Sequence, residues 1–149
     1  MKLLRTNSNH TDFKALVSLL DADLALRDGE DHAFYAQFNG IDSLKHVVVV
    51  YKNKIPVACG AIKTFNDNTV EVKRMYTAQD YRGQVLATVV LKELEQWAAE
   101  LHYTACVLET GLQQPEALAL YHKNGYTLIP NYGQYAEIDN SRCFKKQIL

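Results

Sequence analysis

The residues best placed to do chemistry lie between Val70 and Leu94, where VEVKRMYT runs into a short Gln79-Asp80 turn, then YRGQVLA, then an apolar-periodic segment. The pattern predicts a strand that delivers its end to a glycine turn, whose successive backbone N–H groups open a helix. Such a turn suits a pyrophosphate, because unsatisfied N–H groups and the helix dipole both favour negative charge. A phosphate-bearing cofactor is therefore expected. The central fragment, Arg82-Gly83-x-x-x-Ala87, taken alone fits an ordinary strand-to-helix turn equally well. Neither GxxxxGK[ST] nor GxGxxG occurs, so a nucleoside triphosphate or a dinucleotide is not the first expectation. The five histidines, His10, His32, His46, His102 and His122, show no metal spacing such as HExxH, and no metal is expected. Cys59 and Cys106 fall inside strand-like runs, a poor setting for a nucleophilic thiol, which needs an exposed electropositive site.

The whole chain bounds these readings. At 149 residues and 48% hydrophobic, it fits one domain, 1–149, large enough to bury a core without disulfides or metal. Sixteen basic residues against seventeen acidic ones give a formal charge of −1, so the broad positive field that carries nucleic-acid binding is missing. Three widely spaced cysteines, Cys59, Cys106 and Cys143, fit reduced core thiols and a cytoplasmic setting better than a disulfide frame. The first residues, MKLLRTNSNH, lack the apolar core of a signal peptide, and no apolar run approaches the roughly 20 residues that span a bilayer. No membrane association is expected. No internal repeat or low-complexity segment is visible.

The elements that must position the chemistry follow from periodicity. Lys2 to Arg5 reads as an edge strand, and Asp12 as the N-cap of a helix with apolar positions Phe13, Leu16, Val17, Leu20 and Leu24, stopping near Asp28-Gly29. A second helical piece spans Asp31 to Phe38 and ends at Asn39-Gly40. His46–Tyr51, Val57–Phe65 and Thr69–Thr77 form a meander turning at Asn53-Lys54 and Asn66-Asp67-Asn68, with Glu71 and Lys73 facing away from Val70 and Val72. The helix from Gly83 is expected to bury Leu86, Val90, Leu94, Trp97 and Leu101. Thr104 to Glu109 is then a parallel neighbour reached through that helix, and Glu109 stands at its C-terminal end, where open α/β sheets line ligand crevices. A third helix runs from Pro115 to Asn124-Gly125. Tyr126–Ile129 and Arg142–Gln147 remain as strands flanking the polar, aromatic loop NYGQYAEIDN.

This order of elements, together with ALALYHKNGY near the end, resembles the GNAT-type N-acetyltransferases over nearly the entire chain. The resemblance implies an α/β (α+β) single-domain fold. Its mixed central sheet would have six to seven strands with helices on both faces, in the order β-α-α-β-β-β-α-β-α-β-β. It also implies acetyl-CoA as cofactor. The family loop Q/R-x-x-G-x-G/A, which holds the pyrophosphate of coenzyme A, falls on Arg82, Gly83, Gln84, Val85, Leu86 and Ala87, with Thr88 next. Here Val85 stands at the usual central glycine. A valine donates its N–H normally if φ stays negative, but its Cβ forbids close approach on one side. Met75, Tyr76 and Thr77 would pair their main chain with the pantetheine arm, and the Met75 N–H would meet the developing oxyanion.

By the same resemblance Tyr121 is the phenol aimed at the cofactor sulfur and acts as general acid, protonated at neutral pH because its ordinary pKa is about 10. Gln114 replaces an asparagine common in the family and is a candidate cofactor contact. An ammonium substrate must lose a proton before attack, so a carboxylate is required, and both Glu71 and Glu109 remain candidates. The acceptor pocket is assigned to Tyr35, Phe38, Asn131, Tyr132, Gln134 and Tyr135. Arg27 and Arg74 fit either a substrate carboxylate or structural ion pairs. The implied activity is acetyl transfer to a primary amine of a small molecule by direct attack in a ternary complex, with a homodimer as a compatible assembly. A non-catalytic acyl-CoA-binding regulatory module and a protein lysine or N-terminal acetyltransferase are the alternatives.

Overall fold

The computed structural model describes residues 1–29 and 44–149. Its elements are β1 (Lys2–Thr6), α1 (Thr11–Asp28), β2 (His46–Lys52), β3 (Ile55–Asn66), β4 (Thr69–Thr77), α2 (Leu86–Glu100), β5 (Ala105–Gly111), α3 (Pro115–Lys123), β6 (Thr127–Ile129) and β7 (Ser141–Gln147). The helix expected over Asp31–Phe38, with the candidate acceptor residues Tyr35 and Phe38, lies outside the described residues.

The strands form one seven-stranded sheet in the order β1-β2-β3-β4-β5-β7-β6. Only β4 and β5 are parallel, and α2 connects them; the other neighbours are antiparallel. The β-branched run of β2 shows how the two faces are filled. Val47 and Val49 pack with Phe13, Leu16 and Val17 of α1, whereas Val48 and Val50 join the core under α2. That alternation is the period-2 pattern of a strand covered on both sides. Lys73 pairs across with Ala61, which packs in the α1-side cluster, while Val70 and Val72 pack under α2. The expected division of β4 between two faces therefore holds.

Three local expectations change. The N-cap of α1 is His10, whose Nδ1 accepts from the Asp12 N–H at 3.2 Å, so Asp12 instead sits in the first turn, where its charge suits the helix dipole. α2 begins at Leu86, not Gly83, because Gly83 and Val85 both hold positive φ and cannot continue a right-handed helix. Leu101 is the C-cap of α2 and 38% exposed, and Trp97 is only partly buried, stacked against the Arg5 guanidinium at 4.9 Å. Leu91 and Ala98 fill the buried stripe with Leu86, Val90 and Leu94. Among the described residues no helix is long and apolar enough to cross a membrane.

Candidate active site

The site begins with a fault in the sheet. Cys59 pairs with Tyr76 and Ala61 with Lys73, so the single residue Gly60 faces both Arg74 and Met75. This is a β-bulge, and Arg74 takes φ +59° to make it. Gly60 is required at the bulge, since a Cβ there would lie 2.5 Å from the Met75 Sδ and 2.8 Å from Val90 Cγ1. On the other edge of β4, pairing with β5 covers Thr69, Val70 and Glu71 and then stops. Beyond that point the two parallel strands part, and among the described residues the β4 segment from Lys73 to Thr77 has no neighbour in the sheet on its β5 side.

A cleft of about 530 Å³ occupies this split, lined by both strand ends, α1, the turn before α2, and α3. Met75, Tyr76, Thr77, Arg82, Gly83, Val85, Leu86, Ala87, Thr88, Gln114 and Tyr121 all line it, as do Glu71, Glu109 and Tyr135. Gln84 does not, and its side chain accepts from Lys52 instead. Of the late-loop residues, Asn131 is used structurally, donating to the carbonyls of Ile138 and Ser141 at 3.1 and 3.0 Å. Gln134 is exposed and stands off the cleft.

The turn into α2 is built from unusual backbone. Gly83 sits at φ +80° with open space around the missing Cβ. Val85 is the N-cap of α2 at φ +59°, ψ +18°, contrary to the negative φ expected for a β-branched residue. It provides no side-chain cap, so the first-turn N–H groups of α2 lack that partner, and Leu86, Ala87 and Thr88 of this turn line the cleft. Arg82 donates from Nε to the Thr77 carbonyl at 3.0 Å, and its guanidinium lies 5.7 Å from the Tyr76 ring centre.

Tyr121 is 5% exposed and packs against Tyr126 and Phe144. Burial first, and the Glu109 charge second, push its pKa above the ordinary phenol value, so it stays protonated. Glu71 is 8% exposed. Its Oε2 accepts from the Tyr132 hydroxyl at 2.7 Å, and its Oε1 lies 3.8 Å from Lys73 Nζ. Tyr132 is in turn fixed by edge contacts to Phe65 and Tyr135. Tyr135, 2% exposed, has its pKa raised by burial and then by the charges of Glu109 and Glu71, which places both carboxylates near one phenol. Glu71 and Glu109 both line the cleft, with Glu109 near enough to Tyr121 for its charge to act on the phenol. Arg74 and Arg27 are committed to ion pairs. Arg74 is held by Asp21, and Arg27 by Asp23 and Glu116.

Sequence reasoning missed several contributors. Leu20, Asp23 and Leu24 bring α1 into the cleft wall. The bulge had a visible signal, because an isolated glycine inside a strand often marks one. The partnership of Tyr132 with Glu71 had no such signal.

The seven-stranded mixed sheet and the glycine turn before α2 are the GNAT-type arrangement expected above, and the structure adds the parting of β4 from β5. The chain belongs to the GNAT acetyltransferase family, whose model matches residues 13–126. It is 33% identical over 89 residues to an "IAA acetyltransferase" of Azospirillum brasilense, a match covering 59% of this chain and 58% of that protein. The chain thus spans less than two thirds of the curated relative it matches. A Klebsiella pneumoniae subsp. pneumoniae structure, provisionally described as an acyl-CoA N-acyltransferase, superposes with a TM-score of 0.83 at 25% identity, covering 99% of this chain and 97% of that one. The Thermoplasma acidophilum PaiA N-acetyltransferase, solved in complex with coenzyme A, shares the fold with a TM-score of 0.73 at 14% identity, covering 98% of each chain.

Proposed function

We propose that the protein transfers acetyl from acetyl-CoA to the primary amine of a small molecule by direct attack in a ternary complex. One observation carries the reading: the β4–β5 pairing ends after Glu71 and Val107, and a cleft bordered by Tyr121, Glu71, Glu109 and the α2 N-terminus fills the gap. Acetyl-CoA supplies an activated thioester, and its shape fits the residues present. The edge of Met75, Tyr76 and Thr77 that faces away from β3 accepts an amide-bearing arm as a strand would. The α2 N-terminus, with Arg82 and Leu86 to Thr88, suits the diphosphate.

The other residues divide the remaining work. The Met75 N–H is the donor for the oxygen that becomes negative. Tyr121 keeps its proton at the phenol oxygen, available to a departing thiolate. Glu71, held by Tyr132, and Glu109, beside Tyr121, are the two carboxylates able to take the ammonium proton. A cleft of about 530 Å³ shared with the cofactor suits a small acceptor. The reading extends to residues 1–149 as one N-acetyltransferase domain working in the cytoplasm, where its three buried cysteines remain thiols.

The test is release of free thiol from acetyl-CoA across amines, amino acids and peptides, with Tyr121→Phe alongside. Turnover with small amines and a lower kcat in Tyr121→Phe at nearly unchanged cofactor affinity are expected. Coenzyme A binding without turnover on any acceptor would refute the reading, and turnover confined to peptides would replace the small acceptor with a protein.

A further inference from the structure

Four charged residues form a continuous chain across the mouth of the cleft. Arg82, on the turn before α2, has Nη2 3.7 Å from Asp23 Oδ2. Asp23, near the end of α1, accepts from Arg27 Nε through its other oxygen at 3.2 Å. Arg27 reaches on to Glu116, in the first turn of α3. Asp23, Arg82 and Glu116 all line the cleft. The chain therefore joins the turn before α2 to α1 and to α3, and its charges alternate throughout.

We propose that Asp23 is an internal counter-ion that competes with the cofactor's diphosphate for Arg82 and so sets cofactor affinity. The proposal rests on the reading that the Arg82 turn holds the diphosphate. An arginine whose guanidinium already faces a carboxylate must exchange that partner for a phosphate when the cofactor enters. The exchange replaces one charge-assisted contact by another, so the attraction of Asp23 is subtracted from the binding free energy. Arg27 opposes this subtraction. By engaging the second oxygen of Asp23, it draws the carboxylate towards α3 and weakens its hold on Arg82. Asp23 and Arg82 side chains are 31% and 38% exposed, so water and salt screen the pair and the effect is a tuning of affinity, not a block.

Coenzyme A binding to the full chain, followed by titration calorimetry at low salt, tests this with two variants of opposite sign. Asp23→Asn is expected to tighten coenzyme A by about two- to five-fold, the range of a screened ion pair. Arg27→Gln frees Asp23 for Arg82 and is expected to weaken it. In an Arg82→Ala background, Asp23→Asn is expected to change nothing, and pantetheine, which has no diphosphate, is expected to inhibit wild type and Asp23→Asn equally. An Asp23→Asn protein that binds coenzyme A no better than wild type overturns the proposal. So does a tightening that persists without Arg82 or that extends to pantetheine. Coenzyme A affinity unmoved by Arg82→Ala would instead overturn the diphosphate reading on which the proposal rests.

Discussion

Val85 offers the sharpest test of the turn before α2, because its backbone and its side chain make opposite demands. It holds φ +59°, ψ +18°, the left-handed region, where an L residue crowds its Cβ against the following carbonyl at a cost of roughly 1–2 kcal/mol. Glycine pays no such cost, although at ordinary sites it is less stable than alanine by roughly 0.5–1 kcal/mol through its freedom in the unfolded chain. Val85 is 63% exposed, so truncation removes little packing, and it removes nearly the same amount in Val85→Ala as in Val85→Gly. The comparison between the two variants therefore isolates the backbone. At a right-handed or extended position alanine would be the more stable. Here glycine should be the more stable, by about 1 kcal/mol, or roughly 3 °C in midpoint for a chain of this size. Urea unfolding of Val85→Gly and Val85→Ala measures the difference directly. The glycine variant should also bind coenzyme A more tightly, since Val85 lines the cleft and its Cβ is lost from that wall. Alanine equal to or above glycine in stability would refute the left-handed turn and, with it, the account of why α2 starts at Leu86.

Three further outcomes follow from the same geometry. Tyr132→Phe removes the hydroxyl that donates to Glu71 at 2.7 Å, so with Glu71 as the base kcat should fall several-fold at unchanged coenzyme A affinity, and an unchanged kcat assigns the proton to Glu109. Gly60→Ala places a Cβ 2.5 Å from Met75 Sδ, 2.8 Å from Val90 Cγ1 and 3.0 Å from Leu94 Cδ1, which predicts a loss of about 1–3 kcal/mol in urea unfolding, and wild-type stability would contradict the bulge. Burial pushes the Cys59 and Cys106 thiols up to about 12 from 9, so the unfolded chain ionises first. Their contribution to stability is intact below about pH 9 and is lost as the pH rises towards 12, and a urea midpoint unchanged over that window would argue against their burial.

What the sequence revealed and what it hid divide along local and non-local lines. The turn at Gly83, the strand before it and the helix after it are set by neighbours within a few residues, and their types and spacing declare them. Tyr121 was legible only through the register of ALALYHKNGY, since nothing intrinsic separates one buried tyrosine from another among nine. The handedness of Val85 was not legible, because β-branched residues avoid positive φ and only the surrounding fold imposes it. Tyr132 and Glu71 are 61 residues apart in sequence and meet only because β7 returns beside β5. The apolar spacing that suggested Leu101 for the buried stripe of α2 ran past the point where the helix ends, and no glycine or proline marked that end.

The cleft owes its existence to a mismatch, and α1 is what holds the mismatch in place. The bulge opposite Gly60 inserts one residue into β4, which bends the strand and increases its local twist. That residue, Arg74, is turned towards α1 with its guanidinium side chain 2% exposed and paired to Asp21, while its Nε has no hydrogen-bond partner among the described residues. Burying an arginine this way is costly unless its partner stays in place. Two residues further along the same helix, Asp23 engages Arg82. One helix thus ties down both the bulge that parts β4 from β5 and the turn that opens α2. Loosening α1 should therefore disturb the strand end and the turn before α2 together.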